Sequence, residues 1–108
     1  MTEDFFHRAV SGVMQQGCLA RKNTAGSLCY YRHPDNPNIR CAVGHLISDE
    51  IYASNFEGYS VGILINMKSL DLPHWTQELQ NCHDGAENLE DFIRRATSLA
   101  ISLGFTMP

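Results

Sequence analysis

Four cysteines and five histidines hold most of the reactive chemistry in this chain. Cys41 and His45 stand four apart, and Cys82-His83-Asp84 places three donors in a row. Two Cys and two His make a tetrahedral zinc set, so Cys41, His45, Cys82 and His83 are the metal candidates. Their spacing argues against that role. No Cys-x-x-Cys pair occurs in the sequence. If Cys41 lies in a strand, a residue four further on is about 12 Å away or more, and only a bend at Gly44 brings His45 back. Cys82 and His83 are adjacent, about a hundred degrees apart around a helix, which is awkward for one ion. Burial of Cys41 and Cys82 as small hydrophobes accounts for both without a metal.

A thiol nucleophile needs a base in hydrogen-bond reach and a group that orients the base. Cys41 with His83, oriented by Asp49 or Glu50, could meet this only across the fold, and no glycine-rich oxyanion loop accompanies them. Asp49, Glu50, Glu57, His83 and Asp84 could gather a divalent cation for hydrolysis, but acids at helix ends are ordinary. No phosphate-cradling glycine loop occurs. These residues therefore point to a non-enzymatic protein with no cofactor. The alternative is a small metal-dependent or thiol-dependent enzyme, or a structural zinc domain.

Aromatic residues suggest binding. Tyr30 and Tyr31 are adjacent, so in a strand they face opposite ways. Tyr52, Phe56 and Tyr59 fall in an irregular stretch with Asn55, Glu57 and Gly58, the kind of segment in which binding residues concentrate. Large aromatics anchor protein interfaces. Tyr31, Tyr52, Phe56 and Tyr59 are the expected binding residues, and a protein is the expected partner. Phe56 is diagnostic: exposed it is an anchor, buried it is core, and the sequence leaves both open.

The elements that must position these residues read in four pieces. A helix is expected over about Thr2 to Gln16, with Glu3 and Asp4 at its positive end. Phe6, Val10, Val13 and Met14 recur at steps of three and four, widened by Phe5; Gly12 weakens the interior by about 1 kcal/mol relative to Ala, and Gly17 suits the C-terminal cap. An antiparallel β-hairpin is expected from Ser27 to Arg32 and Ile39 to Val43, around a turn-forming stretch that holds Pro34 and Pro37. Between Gly44 and Leu72, Ser48-Asp49-Glu50 could cap a short turn through Tyr52. Ser60 could cap a helix over Val61 to Asn66, for which a strand is the competing reading. A helix from Trp75 to His83 puts Trp75, Leu79 and Cys82 on one face. A last helix begins at Asn88 with Asp91 in the box position, carries an apolar stripe through Phe92 and Leu99, and ends at Gly104.

The chain has 108 residues, is 44% hydrophobic and carries a net charge of -4. That length suits one domain, residues 1–108. Acids and bases balance up to Ser54, while the remainder sets seven acids against Lys68, Arg94 and Arg95. An acidic half repels phosphate backbones, so nucleic acid is disfavoured as a partner, with one local exception around Arg21, Lys22, Arg32 and Arg40. No apolar run is long enough for a bilayer, and the acidic start does not resemble a signal peptide. The expected place is the cytoplasm, where thiols stay reduced. With Arg32 opposite Ile39, Cys29 and Cys41 fall one step out of register, so no disulfide is expected. The sequence does not speak to small-molecule ligands.

The block Cys41-Ala42-Val43-Gly44-His45-Leu46-Ile47-Ser48-Asp49-Glu50-Ile51-Tyr52 resembles a small protein family of bacteria and their phages. Flanking matches are Cys29 with Tyr31-Arg32, Glu57-Gly58, and Leu79-Gln80-Asn81-Cys82-His83-Asp84. The first of these is one residue looser than the family pattern, and relatives often carry other residues at His45 and Pro at Ser48. The resemblance implies a compact single domain of bacterial or phage origin and supplies no mechanism. Together these readings give an α+β fold, one antiparallel hairpin packed with three or four helices, acting by binding a host or defence protein.

Overall fold

The computed structural model describes residues 2–20 and 30–108, and of Thr2 the backbone only. Among the described residues, four α-helices carry the fold: α1 Thr2–Gln16, α2 Val61–Asn66, α3 Thr76–Asp84 and α4 Leu89–Leu103. Among the described residues between α1 and α2, two 3-10 turns, Val43–Leu46 and Ser54–Phe56, punctuate the chain.

No strand occurs among the described residues, which overturns the α+β class and its hairpin. Residues 27–29 of the expected first strand, Cys29 among them, lie outside the described residues, and so does any pairing of Cys29 with Cys41. The remainder is irregular for a physical reason. A ladder needs the N–H groups of both strands, and here distant side chains take them. The Tyr31 and Arg32 N–H groups donate to the two carboxylate oxygens of Glu57 at 3.0 and 3.2 Å. Arg40 N–H donates to Gln16 Oε1 at 3.0 Å and Val43 N–H to Gln80 Oε1 at 3.1 Å. Among the described residues, bonds run from Cys41 N–H to the Tyr30 carbonyl and from His33 N–H to the Ile39 carbonyl.

Helices α1, α3 and α4 enclose the first core. Phe6, Ala9, Val10 and Val13 from α1 meet Leu79 from α3 and Phe92, Ala96 and Ala100 from α4. Met14 lies outside this stripe, exposed, and Ala9 takes the expected place. The α4 stripe is buried at Phe92 and half-buried at Leu99. Asn88 caps α4 by accepting from Asp91 N–H at 2.9 Å, and the Asp91 carboxylate reaches back to Glu87 N–H at 3.0 Å. That second bond, helped by Arg94 and Arg95, holds the Asp91 carboxyl down at about 2. Beyond Gly104, which ends α4 with φ 75°, Phe105 closes a ring cluster with Phe6 and Trp75, centroids 5.6 to 5.8 Å apart.

The second core belongs to the irregular half. Tyr31, Cys41, Val43, Ile47 and Phe56 pack on Val61 and Leu64 of α2 and on Leu70. The helical reading of Val61–Asn66 wins over the strand because Ser60 Oγ accepts from Ile63 N–H at 3.2 Å. Gly44 is fixed by close approach: a Cβ there would collide with the Tyr31 carbonyl. Gly12 in α1 has a similar role, since a Cβ would strike the His45 ring.

Candidate functional site

A cleft of about 330 Å³ opens between residues 58–63 and α3. Its α3 wall is a polar stripe: Gln77, Gln80, Asn81 and Asp84, at the i, i+3, i+4 and i+7 positions of one helix face. This face lies opposite the apolar one that buries Leu79 and packs Trp75 and Cys82. The other wall carries Tyr59, Val61 and Ile63, with Tyr31 behind them.

Hydrogen bonds set the shape of both walls. Gln77 Oε1 accepts from Gly62 N–H at 2.7 Å, which joins the start of α2 to α3, while Gln77 Nε2 donates to Asn81 Oδ1 at 2.9 Å. Gln80 Nε2 donates to Asp84 Oδ1 at 2.8 Å. Tyr31 donates its hydroxyl to the Tyr59 carbonyl at 2.6 Å. Burial, with Cys41, Asp84 and Glu57 nearby, pushes the Tyr31 hydroxyl far above its ordinary range, so it stays a neutral donor.

Glu57 clamps the near end. Besides the two backbone N–H groups it accepts from the Tyr52 hydroxyl at 2.6 Å. Burial and this bond push the Tyr52 hydroxyl up to about 12. Arg32 covers the Tyr52 ring at 4.1 Å, donates to the Ile47 carbonyl and pairs with Asp49 at 2.9 Å. Its Nε is buried without a hydrogen-bond partner among the described residues, and the cation–π contact compensates part of that cost.

The four expected binding residues therefore divide. Tyr31 is buried and Phe56, at 8% exposure, belongs to the second core, so Phe56 is no exposed anchor. Tyr52 is half-buried and held by Glu57. Tyr59 alone stands out, 47% exposed, matched by Ile63 at 47%. Sequence reasoning missed Ile63 and the amide stripe of α3. The missed signal was the four polar residues at helical spacing behind the Trp75, Leu79 and Cys82 face.

The metal candidates do not gather. Among the described residues no three His, Cys, Asp or Glu side chains are placed to hold an ion. Both histidines are already engaged. His45 Nε2 donates to Gln16 Oε1 at 2.9 Å. Burial, then the nearby Arg40, lowers its pKa to about 4. His83 is fully buried, with Nε2 accepting from Ala20 N–H at 3.2 Å and Nδ1 donating to Asp84 Oδ1 at 3.2 Å. This leaves neither His83 nitrogen for a metal or for proton transfer. Cys41 is buried in the second core, and burial pushes the Cys82 thiol up, opposite to what a nucleophile needs.

A second recess, about 430 Å³, is lined by Ile65, Lys68, Leu70, Asp71, Leu72 and His74. It lacks the cross-bonded wall of the first. Three of the sequence blocks singled out above meet at the first cleft: Tyr31, Gly58, and Gln80 with Asn81 and Asp84. Comparison of the chain with protein-family models, curated proteins and solved structures found no match. No helix among the described residues is long and apolar enough to cross a membrane.

Proposed function

We propose that this is a non-enzymatic interaction protein that takes a segment of a partner protein into the cleft between residues 58–63 and α3. The observation that carries this reading is the pairing of two half-exposed apolar side chains, Tyr59 and Ile63, with a hydrogen-bonded amide wall across the cleft. Exposed aromatic and aliphatic groups beside fixed polar groups suit a partner's side chain and backbone at once. A wall already ordered by its own hydrogen bonds loses little entropy on binding. The site expected around Tyr52, Phe56 and Tyr59 thus moves along the chain, to Tyr59 and Ile63.

The place of action in this reading is the cytoplasm, and the phage or prophage resemblance makes a bacterial host or defence protein the partner to seek. The test uses full-length protein as bait in host lysate, with the wild type against Y59A/I63S. Because both side chains are half-exposed, the double variant should melt close to the wild type. It should lose the captured partner by a factor of about 30 or more, as expected when two interface anchors of ~1–2 kcal/mol each are removed. A double variant that folds and retains its partner removes the cleft from the interface.

A further inference from the structure

The cleft has a charge signature as well as a shape. Among the described residues, Asp84 is the only charged one lining it. No Lys, Arg or His side chain among the described residues lines either wall, and the half of the chain from residue 55 onward carries the whole net charge of -4. The Asp84 side chain is 43% exposed.

The carboxylate is also oriented. The hydrogen bonds it accepts among the described residues, from Gln80 Nε2 and from His83 Nδ1, both fall on Oδ1. Gln80 is in turn held by Val43 N–H, and His83 by Ala20 N–H. Oδ1 is thereby fixed from two sides, and Oδ2, with no hydrogen-bond partner among the described residues, can accept from an incoming donor. Beside it, Asn81 uses its Oδ1 to accept from Gln77, and its amide nitrogen, without a partner among the described residues, can donate. Tyr59 and Ile63 on the opposite wall offer an aromatic face and an aliphatic surface.

We infer that the cleft selects a basic side chain, arginine or lysine, from the partner segment. Its aliphatic stem would lie against Ile63 and Tyr59 and its cationic head would donate to Asp84 Oδ2. Long basic side chains combine a stem that packs on apolar surface with a head that keeps a polar environment. A guanidinium can also stack on an aromatic ring such as Tyr59. An acidic occupant would meet Asp84 with no compensating base among the described lining residues, and a wholly apolar one would cover the carboxylate without pairing it. This inference rests on the cleft being the binding site and adds the chemistry of what enters it.

The test is an NMR titration of uniformly labelled full-length protein with N-acetylarginine amide and with its neutral isostere, N-acetylcitrulline amide. The arginine compound should shift the backbone amides of Tyr59, Ile63, Asn81 and Asp84. It should bind about fivefold more tightly than the citrulline compound, the upper end for a partly exposed ion pair. In D84N, which keeps an oxygen for Gln80 and His83, that preference should vanish. Should D84N disturb the fold, added salt applied to the wild type gives the same answer: it should weaken arginine and leave citrulline unchanged. Equal binding of the two compounds, or arginine shifts confined to residues away from the cleft, overturns the assignment. If arginine shows no preference while Y59A/I63S still releases the partner, the cleft stands as the interface and only its charge selectivity falls.

Discussion

The two halves of this molecule are held together by different physics. In the α1, α3 and α4 half, apolar side chains at helical spacing meet around Phe6, Leu79 and Phe92, all fully buried. In the half from residue 30 to residue 72, one six-residue α-helix and two 3-10 turns leave most of the backbone irregular. There, long polar side chains satisfy the main chain: Glu57 serves Tyr31 and Arg32, Gln16 serves Arg40, and Gln80 serves Val43. Burial of apolar area supplies most folding free energy, so the first half should dominate stability. The second half shapes the cleft, where precise placement matters more than total burial.

The sharpest way to break this contrast is to remove one phenyl ring from each core. F92A should lower unfolding free energy by about 3–5 kcal/mol. F56A, in the smaller core and 8% exposed, should lower it by about 2–4 kcal/mol. Denaturant titration of both variants checks the order. If F56A proved the more damaging, the irregular half would be the stability centre.

Gly12 sharpens the junction between the halves. Helix propensity alone predicts that G12A stabilises α1 by about 1 kcal/mol. The His45 ring lies where the new Cβ would go, so G12A should instead destabilise by about 1–3 kcal/mol. The double variant G12A/H45A should recover part of that loss, and a stabilised G12A would contradict the packing described.

The same histidine gives a pH signature. Its folded pKa of about 4 lies below the ordinary value of 6.5. The unfolded chain therefore binds a proton more readily across that window. The stabilising contribution is fully present above about 6.5 and is lost as pH falls toward 4. Stability measured between pH 7 and 4 should have a shallower slope in H45Q than in the wild type. Equal slopes would mean that His45 is as solvated as in the unfolded chain.

The smallest effect is expected at Lys68, the only described non-glycine residue with positive φ, at 60°. It follows α2, with Ser69 N–H and Leu70 N–H both returning to the Leu64 carbonyl. Glycine adopts that conformation without strain, so K68G should raise the melting temperature slightly, by the equivalent of about 0.5–1 kcal/mol.

How far these features could be read beforehand follows the same division. Helices α1, α3 and α4 announce themselves because periodic burial is written directly in the spacing of Phe6, Val10 and Val13, or of Phe92, Ala96 and Ala100. The Asn88 cap and the Gly104 stop were equally legible. The hairpin was misread because Tyr30–Arg32 and Ile39–Val43 have strand-like composition, and composition cannot reveal that Glu57, Gln16 and Gln80 will take their N–H groups. Those partners are separated by 24 to 37 residues from the amides they bind, and no local rule links them. In the aromatic loop, which ring points outward depends on the Glu57 clamp, which the loop's own composition does not reveal. Similar distant bonds, from Ala20 to His83 and from His45 to Gln16, engage the histidines among the zinc and thiol candidates.

Native-state amide hydrogen exchange on the wild type and E57A tests most directly the claim that polar clamps order the cleft half. Loss of the carboxylate should speed exchange at Tyr31 and Arg32 by about tenfold or more, the factor for losing ~1.4 kcal/mol of hydrogen-bonded protection. The amides around Phe6, Leu79 and Phe92 should keep their wild-type protection. Unchanged exchange at Tyr31 and Arg32, or a uniform loss across all three long helices, would contradict this account.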